Sequence, residues 1–340
     1  MNWIRATERF AMIAAFGISL LPPAASAADF YQGKTVTFVI GSSGLGGSYD
    51  TYSRLMANHI GRFLPGNPSV VPQNMPGATG IRAINYLYNV APKDGTVIGM
   101  VDQAIYLSQI LGTPELKADA TKFNWIGRIL SNTAVLFVSA DSPVQKIEEA
   151  KTREVIISAS GSASRLNWNL LNNVIGTKIK MISGYKGAAE SRLAMTRGEV
   201  HGLSMPWSEI KLQLTPWLEE KKITLLLQTA ADRHRDLPNL PRMVDLAQNE
   251  DDRQLIFLFS LPNSIGRSVV APPGIPAERV TELRKAFDSA IASQGLLDDV
   301  AKAKLDLESL SGVELQKVVT SSGNFPPALI ERAKQIAETR

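Results

Sequence analysis

Gly41-Ser42-Ser43-Gly44-Leu45-Gly46-Gly47-Ser48-Tyr49-Asp50 is the stretch whose residue types and spacing point most directly to chemistry. It follows the β-branched apolar run Val36-Thr37-Phe38-Val39-Ile40 and leads into a helix-like segment from about Thr51. A strand, a glycine-rich turn and a helix N-terminus together make an anion site. Glycines let successive backbone N–H groups converge, and the first helical turn adds unpaired donors and the positive end of its dipole. The loop holds no Lys or Arg and its only charge is Asp50, so backbone and hydroxyl groups must hold the ligand. That favours a small carboxylate over a polyphosphate. Ser42, Ser43, Gly46 and Gly47 are the expected donors to one carboxylate. Asp50 has two readings: beside an anion it needs a water or cation between them, whereas in a first helical turn it satisfies orphan N–H groups.

Three further segments could complete such a site. Asn74 with Gly77 to Gly80 forms a second glycine loop, able to line the same site or to serve as a plain turn. Ser158 to Arg165 repeats the order of strand, small hydroxylated turn and helix. In it Ser160, Ser162 and Ser164 could donate to the far end of a ligand or act only as helix caps. Ser204 and Met205, with Trp207, follow another strand and could shape a pocket wall, although Met and Trp suit a core equally well.

Enzyme chemistries find less support. Gly44-x-Gly46-x-x-Tyr49 misses the third glycine of the dinucleotide fingerprint, and no P-loop Lys follows. His59, His201 and His234 have no metal-ligand spacing, cysteine is absent, and no Gly-x-Ser-x-Gly elbow occurs. No catalytic residue, metal ligand or cofactor is therefore expected. An exported solute receptor is one class to keep. A periplasmic α/β enzyme acting on a small carboxylate and a ligand sensor for a signalling kinase stand as alternatives, the first told apart by turnover and the second by the absence of a permease gene nearby.

The elements that must position these loops read as an α/β chain. Strand-like runs at Val36–Ile40, Val70–Val71, Thr96–Val101, Val135–Ser139, Val155–Ala159, Ile179–Ile182, Val200–Met205, Ile223–Gln228 and Ser268–Ala271 alternate with helix-like stretches, the pattern of parallel sheets. Crossings near Leu136 and Val269 would divide the chain into one lobe of residues 28–135 plus 270–340 and a second of 136–269. Pro276 to Ser293 reads as an amphipathic helix with Val280, Leu283, Phe287, Ala290 and Ile291 on its packed face. At the N-terminus, Arg5 and Arg9 precede an apolar Phe10 to Leu21, a Pro22-Pro23 break and Ala25-Ser26-Ala27, which predicts a signal peptide of residues 1–27 cleaved after Ala27 and a periplasmic protein. No other stretch approaches the length of a membrane span. The net charge of +4 is dispersed, and Arg233-His234-Arg235 is flanked by Asp232 and Asp236, so neither nucleic acid nor membrane insertion is expected, and the protein reads as a monomer.

Taken together the motifs resemble the substrate-binding receptors of tripartite tricarboxylate transporters, the Bordetella uptake gene (Bug) family. They occur in family order: Tyr31-x-Gly33-Lys34, Gly46-Gly47-Ser48-Tyr49-Asp50-x-x-x-Arg54, Asn74 to Gly80, Ala91 to Thr96, Gly184 to Ala189, Arg197 to Val200, Leu237 to Pro241 and Ala271 to Pro276. The resemblance implies a two-lobed α/β periplasmic-binding-protein fold of the Venus flytrap, type II-like kind, with parallel-sheet lobes and a hinge. It implies capture of a small organic carboxylate between the lobes and delivery to membrane permease subunits. It also places Lys186 as the one cation near the cleft, with a plain surface Lys as the alternative, and the neighbouring Tyr185 suits a pocket wall through its ring and hydroxyl. The chain departs from the family's three consecutive glycines at Gly41 to Gly47, and from its usual aromatic and Asp or Asn at Leu203-Ser204-Met205-Pro206-Trp207, so the identity of the ligand stays open.

Overall fold

Runs of β-branched and aromatic residues form the strands because such side chains pack well on a pleated, buried surface. A computed structural model describes residues 30–41, 47–159, 162–185, 187–321 and 325–338. The strands are β1 (Thr35–Ile40), β2 (Ser69–Asn74), β3 (Val97–Met100), β4 (Asn124–Leu130), β5 (Ala134–Ser139), β6 (Val155–Ser158), β7 (Ile179–Ile182), β8 (Gly202–Pro206), β9 (Ile223–Gln228), β10 (Arg267–Ala271) and β11 (Leu310–Ser311). The helices are α1 (Ser48–Ile60), α2 (Ile81–Asn89), α3 (Ile105–Ile110), α4 (Ser162–Ile175), α5 (Ala188–Thr196) and α6 (Trp207–Gln213), followed by α7 (Thr215–Glu219), α8 (Glu250–Ile265), α9 (Ala277–Ala292), α10 (Gln294–Lys302), α11 (Gly312–Ser321) and α12 (Pro327–Glu338). Among the described residues no helix is long and apolar enough to cross a membrane.

Two sheets result, with orders β11-β4-β10-β3-β1-β2 and β7-β6-β8-β5-β9. The expectation of parallel sheets needs correcting. β1, β2, β3 and β4 share one direction, and so do β6, β7, β8 and β9, but β10 runs antiparallel between β3 and β4, and β5 antiparallel between β8 and β9. Both exceptions have one cause. Each is the strand by which the chain enters a sheet from the other one, at the carboxyl edge, so it must run against its neighbours. Apart from the edge strand β11, the two sheets thus repeat one topology although the sequence shows no repeat. The chain passes between them at residues 131–133 and again over 229–266, so Val135 already lies in the second sheet and Val269 in the first.

β4 was not among the expected strands. Gly127 and Arg128 interrupt its apolar pattern, and each has a distant partner. A Cβ at residue 127 would lie 2.2 Å from the Phe287 ring of α9, so only glycine lets that helix seat on the strand. Arg128 is buried and ion-paired to Asp232. The expected packed face of α9 is in place: Leu283, Phe287 and Ala290 are buried, with Val280 and Ile291 against the same cluster.

The apolar cores explain where a cleft can open. On one side, a continuous cluster joins Val39, Trp125 and Val270 of the first sheet to Leu136, Val155 and Leu226 of the second, with Leu255 to Ile265 of α8 among its members. α12 belongs to this spine: Leu329, Ala333 and Ile336 are buried in it, and the helix packs on α4 and α8, away from the 28–135 plus 270–340 lobe in which it was expected. On the other side the sheets keep separate cores. One lies under α1 and α9, the other under α5 and α6.

Candidate functional site

Register fixes which ends of the strands meet. Ala134, at the start of β5, pairs with Pro206 at the carboxyl end of β8, and Val135 pairs with Gln228 at the end of β9. Leu130, at the end of β4, pairs with Arg267 at the start of β10. The carboxyl edges of both sheets therefore border the short link 131–133, and open α/β sheets bind ligands outside such edges. A cavity of about 700 Å³ lies there, on the side where the cores are separate. Its walls are Ser48, Thr51 and Tyr52 of α1, Leu130 and Asn132 beside the link, Pro206 with Ser208, Glu209, Lys211 and Leu212 of α6, Arg267, and residues 301 and 304–306 after α10.

Arg267 stands beside the start of α1. Its Nε donates to Ser48 Oγ at 2.8 Å, its Nη1 to Gln103 Oε1 at 2.6 Å, and its guanidinium lies 4.1 Å from the centre of the Tyr49 ring. Tyr49 Oη accepts the Gln103 N–H at 3.0 Å. Burial, seconded by the Asp102 charge, pushes the Tyr49 phenol well above its ordinary range. Burial also raises the Asp102 carboxyl, against the Ala104 N–H and the Arg267 charge, which lower it. In the same wall Tyr52 Oη bonds the backbone of Asp306, and burial pushes its phenol up to about 12.

A polar seam closes one flank of the cavity. Lys211 Nζ of α6 reaches Asp236 Oδ2 at 2.9 Å and Asp306 Oδ2 at 3.0 Å. Burial opposes its charge, but the two carboxylates outweigh that and raise its pKa. Deeper in, Ser131, Thr133, His234 and Glu308 are buried together. His234 Nδ1 accepts the Asp236 N–H at 3.1 Å, which puts the ring proton on Nε2, 3.4 Å from Glu308 Oε2. Ser131 Oγ also bonds Glu308 Oε2. Serine and histidine thus share an acceptor, and this is not the arrangement of a nucleophile with its base.

The expected ligand contacts fall in several places. Ser42, Ser43, Gly46, Ser160 and Lys186 lie outside the described residues, as do the side chains of Ser162 and Ser164 at the start of α4 and the expected signal peptide 1–27. Gly47 is the residue before α1, with φ −74° and ψ 166°, and its carbonyl accepts the Thr51 N–H. Asp50 and Asn74 are brought together. Asp50 Oδ1 accepts from Arg54 Nε and from Asn74 Nδ2, each at 2.9 Å, while Arg54 Nη2 donates to Asn74 Oδ1 at 2.6 Å. This triad ties the start of α1 to the end of β2. Gly77, at φ +138°, follows in the turn after β2. Tyr185 packs on the core under α5 and α6, its hydroxyl 3.5 Å from Glu199. Met205 is buried in that same core, because alternation along β8 turns Leu203 and Met205 toward the helices and leaves Ser204 half-buried on the other face. Arg267, Asn132 and Lys211 were not expected. The only local trace is the Gly266-Arg267 step before a β-branched run, and it does not say that the side chain faces a cavity.

The motifs away from this edge are scaffolding. Tyr31 Oη donates to Gly95 O, and Asp94 Oδ1 accepts both the Thr96 N–H and hydroxyl, at the opposite end of the first sheet.

The family model for the tripartite tricarboxylate transporter family receptor matches residues 53–334. Among solved structures, a TctC solute binding protein from Polaromonas, without ligand, aligns with a TM-score of 0.68 at 19% identity over 90% of this chain and 98% of its own. A protein of R. palustris solved with adipate aligns at 0.53 and 24% identity over 89% and 97%, and MatC from Rhodopseudomonas palustris with bound malate at 0.52 and 19% over 89% and 99%. These likenesses show the two-lobed α/β fold of solute-binding proteins. No curated protein matches the sequence.

Proposed function

From the premise that this chain belongs to the tripartite tricarboxylate transporter family of receptors, we propose that it captures a small organic carboxylate in the cleft between its two sheets and passes it to the permease subunits of such a transporter. One observation carries the reading: the carboxyl edges of both sheets meet at one cavity, on the flank where their cores are separate and the lobes can move. A ligand touching both edges favours the closed form by its differential affinity for it. The malate and adipate held by two relatives of the same fold support a carboxylate as the cargo. The proposal includes export with cleavage after Ala27, a periplasmic monomer, two lobes joined by the crossings at 131–133 and 229–266, contacts from the loops at 42–47 and 160–164, and binding without turnover. Support for the last comes from the shared acceptor of Ser131 and His234.

A thermal-shift screen against mono-, di- and tricarboxylates, followed by small-angle scattering with the best of them, tests it. A raised melting temperature with compaction is expected. Binding without a change in dimensions, or a reproducible product, would overturn it.

A further inference from the structure

We infer that Arg267 is the charged contact for the anion in this cleft, a specificity-determining residue at the seam between strand β10 and the start of helix α1. The inference rests on the receptor reading above and adds to it a particular donor. Arg267 is half-buried and lines the cavity. Two of its three nitrogens are committed, Nε to Ser48 and Nη1 to Gln103, and the Tyr49 ring covers one face. Among the described residues Nη2 makes no hydrogen bond, and because Arg267 lines the cavity that nitrogen is the one left for a ligand. A fork held on two sides loses little further entropy on meeting a carboxylate.

Of the other charges in the wall, Lys304 is exposed at the rim, a hydrated point charge on a flexible stem rather than a held fork. Lys211 is spent on Asp236 and Asp306. Asp102 is itself held by the Ala104 N–H and the Tyr49 hydroxyl. Glu209 repels an anion and so narrows where it can sit, toward the α1 side. The donors of the glycine loop carry no charge in their side chains, so Arg267 would supply the counter-charge that the loop lacks. Because it begins the strand by which the chain returns from the second sheet, ligand contact there also bears on the link that sets the angle between lobes.

Calorimetric titration of the full mature chain with the carboxylate that gives the largest thermal shift decides the matter, using the unaltered protein, Arg267→Gln and Arg267→Lys. Arg267→Gln keeps a hydrogen-bonding group toward Ser48, and is expected to weaken binding about tenfold or more and to flatten its dependence on salt. Arg267→Lys should recover part of the loss, since it restores charge without the fork. A merely structural role would lower the melting temperature of both variants while leaving affinity and salt dependence within about twofold, and that outcome would overturn the inference alone. An unaltered protein that binds no carboxylate of the screen would overturn the receptor reading and this inference with it.

Discussion

Arg128 Nη1 of β4 lies 3.0 Å from Asp232 Oδ2, in the segment that follows β9, so a buried cation of the first sheet is neutralised by a carboxylate from the second. The same guanidinium donates to Ser264 O at the end of α8 and to Glu308 O ahead of β11. Four segments that are far apart in sequence meet on one side chain beside the link 131–133. The pair therefore fixes how the sheets are joined at their pivot.

Removing one partner leaves a buried charge without compensation. Asp232→Asn should lower stability by about 1 to 3 kcal/mol, less than a fully buried pair would lose, because Asp232 is a third exposed and Arg128 keeps two carbonyls. Urea unfolding measures this. A midpoint unchanged from the unaltered protein would show that the two carbonyls suffice.

Acid should weaken the fold through Asp245 in particular. Burial opposes its ionisation, but Arg242 and Arg233 outweigh it and hold the carboxyl down to about 2. The folded value is below the ordinary 3.8, so the contribution is complete above 3.8 and is lost as pH falls through about 2. With discounting for solvent, Asp245→Asn should cost about 1 kcal/mol at pH 7 and flatten the acid limb of the stability profile. An acid limb of the same slope in the variant would assign it to other carboxylates.

Gly127→Ala should destabilise by about 1 to 3 kcal/mol, since its methyl group would meet the Phe287 ring at 2.2 Å. Phe287→Leu in the same chain should relieve part of that cost. A double-mutant cycle in urea reads the coupling, and strict additivity would mean that α9 shifts away without penalty.

Gly47→Pro isolates one backbone donor. The observed φ of −74° suits proline and the Gly47 carbonyl keeps its bond to Thr51, so helix α1 should survive while one N–H is deleted. Carboxylate affinity should fall about tenfold, with the circular dichroism spectrum unchanged. Lys186→Ala should weaken binding less, and a larger loss there than at Gly47 would show recognition by ion pairing from the second lobe.

Glu209 lines the cavity with no ion-pair partner among the described residues. For an anionic ligand, Glu209→Gln should raise affinity about two- to fivefold by removing a repulsion of surface-pair size. A fall in affinity on titration would instead show that the cargo carries a cation facing α6.

The sequence by itself determined what depends on neighbours along the chain. β-branched runs mark most strands, and Pro276 and a 3.6-residue stripe mark α9. The ordered motifs carried the family and with it the two-lobed fold. Tertiary structure alone decided features whose partners lie on another part of the chain. β4 hides behind Gly127 and Arg128, which make sense only beside Phe287 and Asp232. Met205 looks suited to a pocket until strand register turns it into the core. Arg267 becomes a cavity cation only because β10 enters the first sheet antiparallel, next to β3 and β4, with its first residue at the carboxyl edge. Local propensity acts over one turn or one strand, whereas a site built at the meeting of two sheets depends on where the chain crosses between them, and no short-range pattern encodes that.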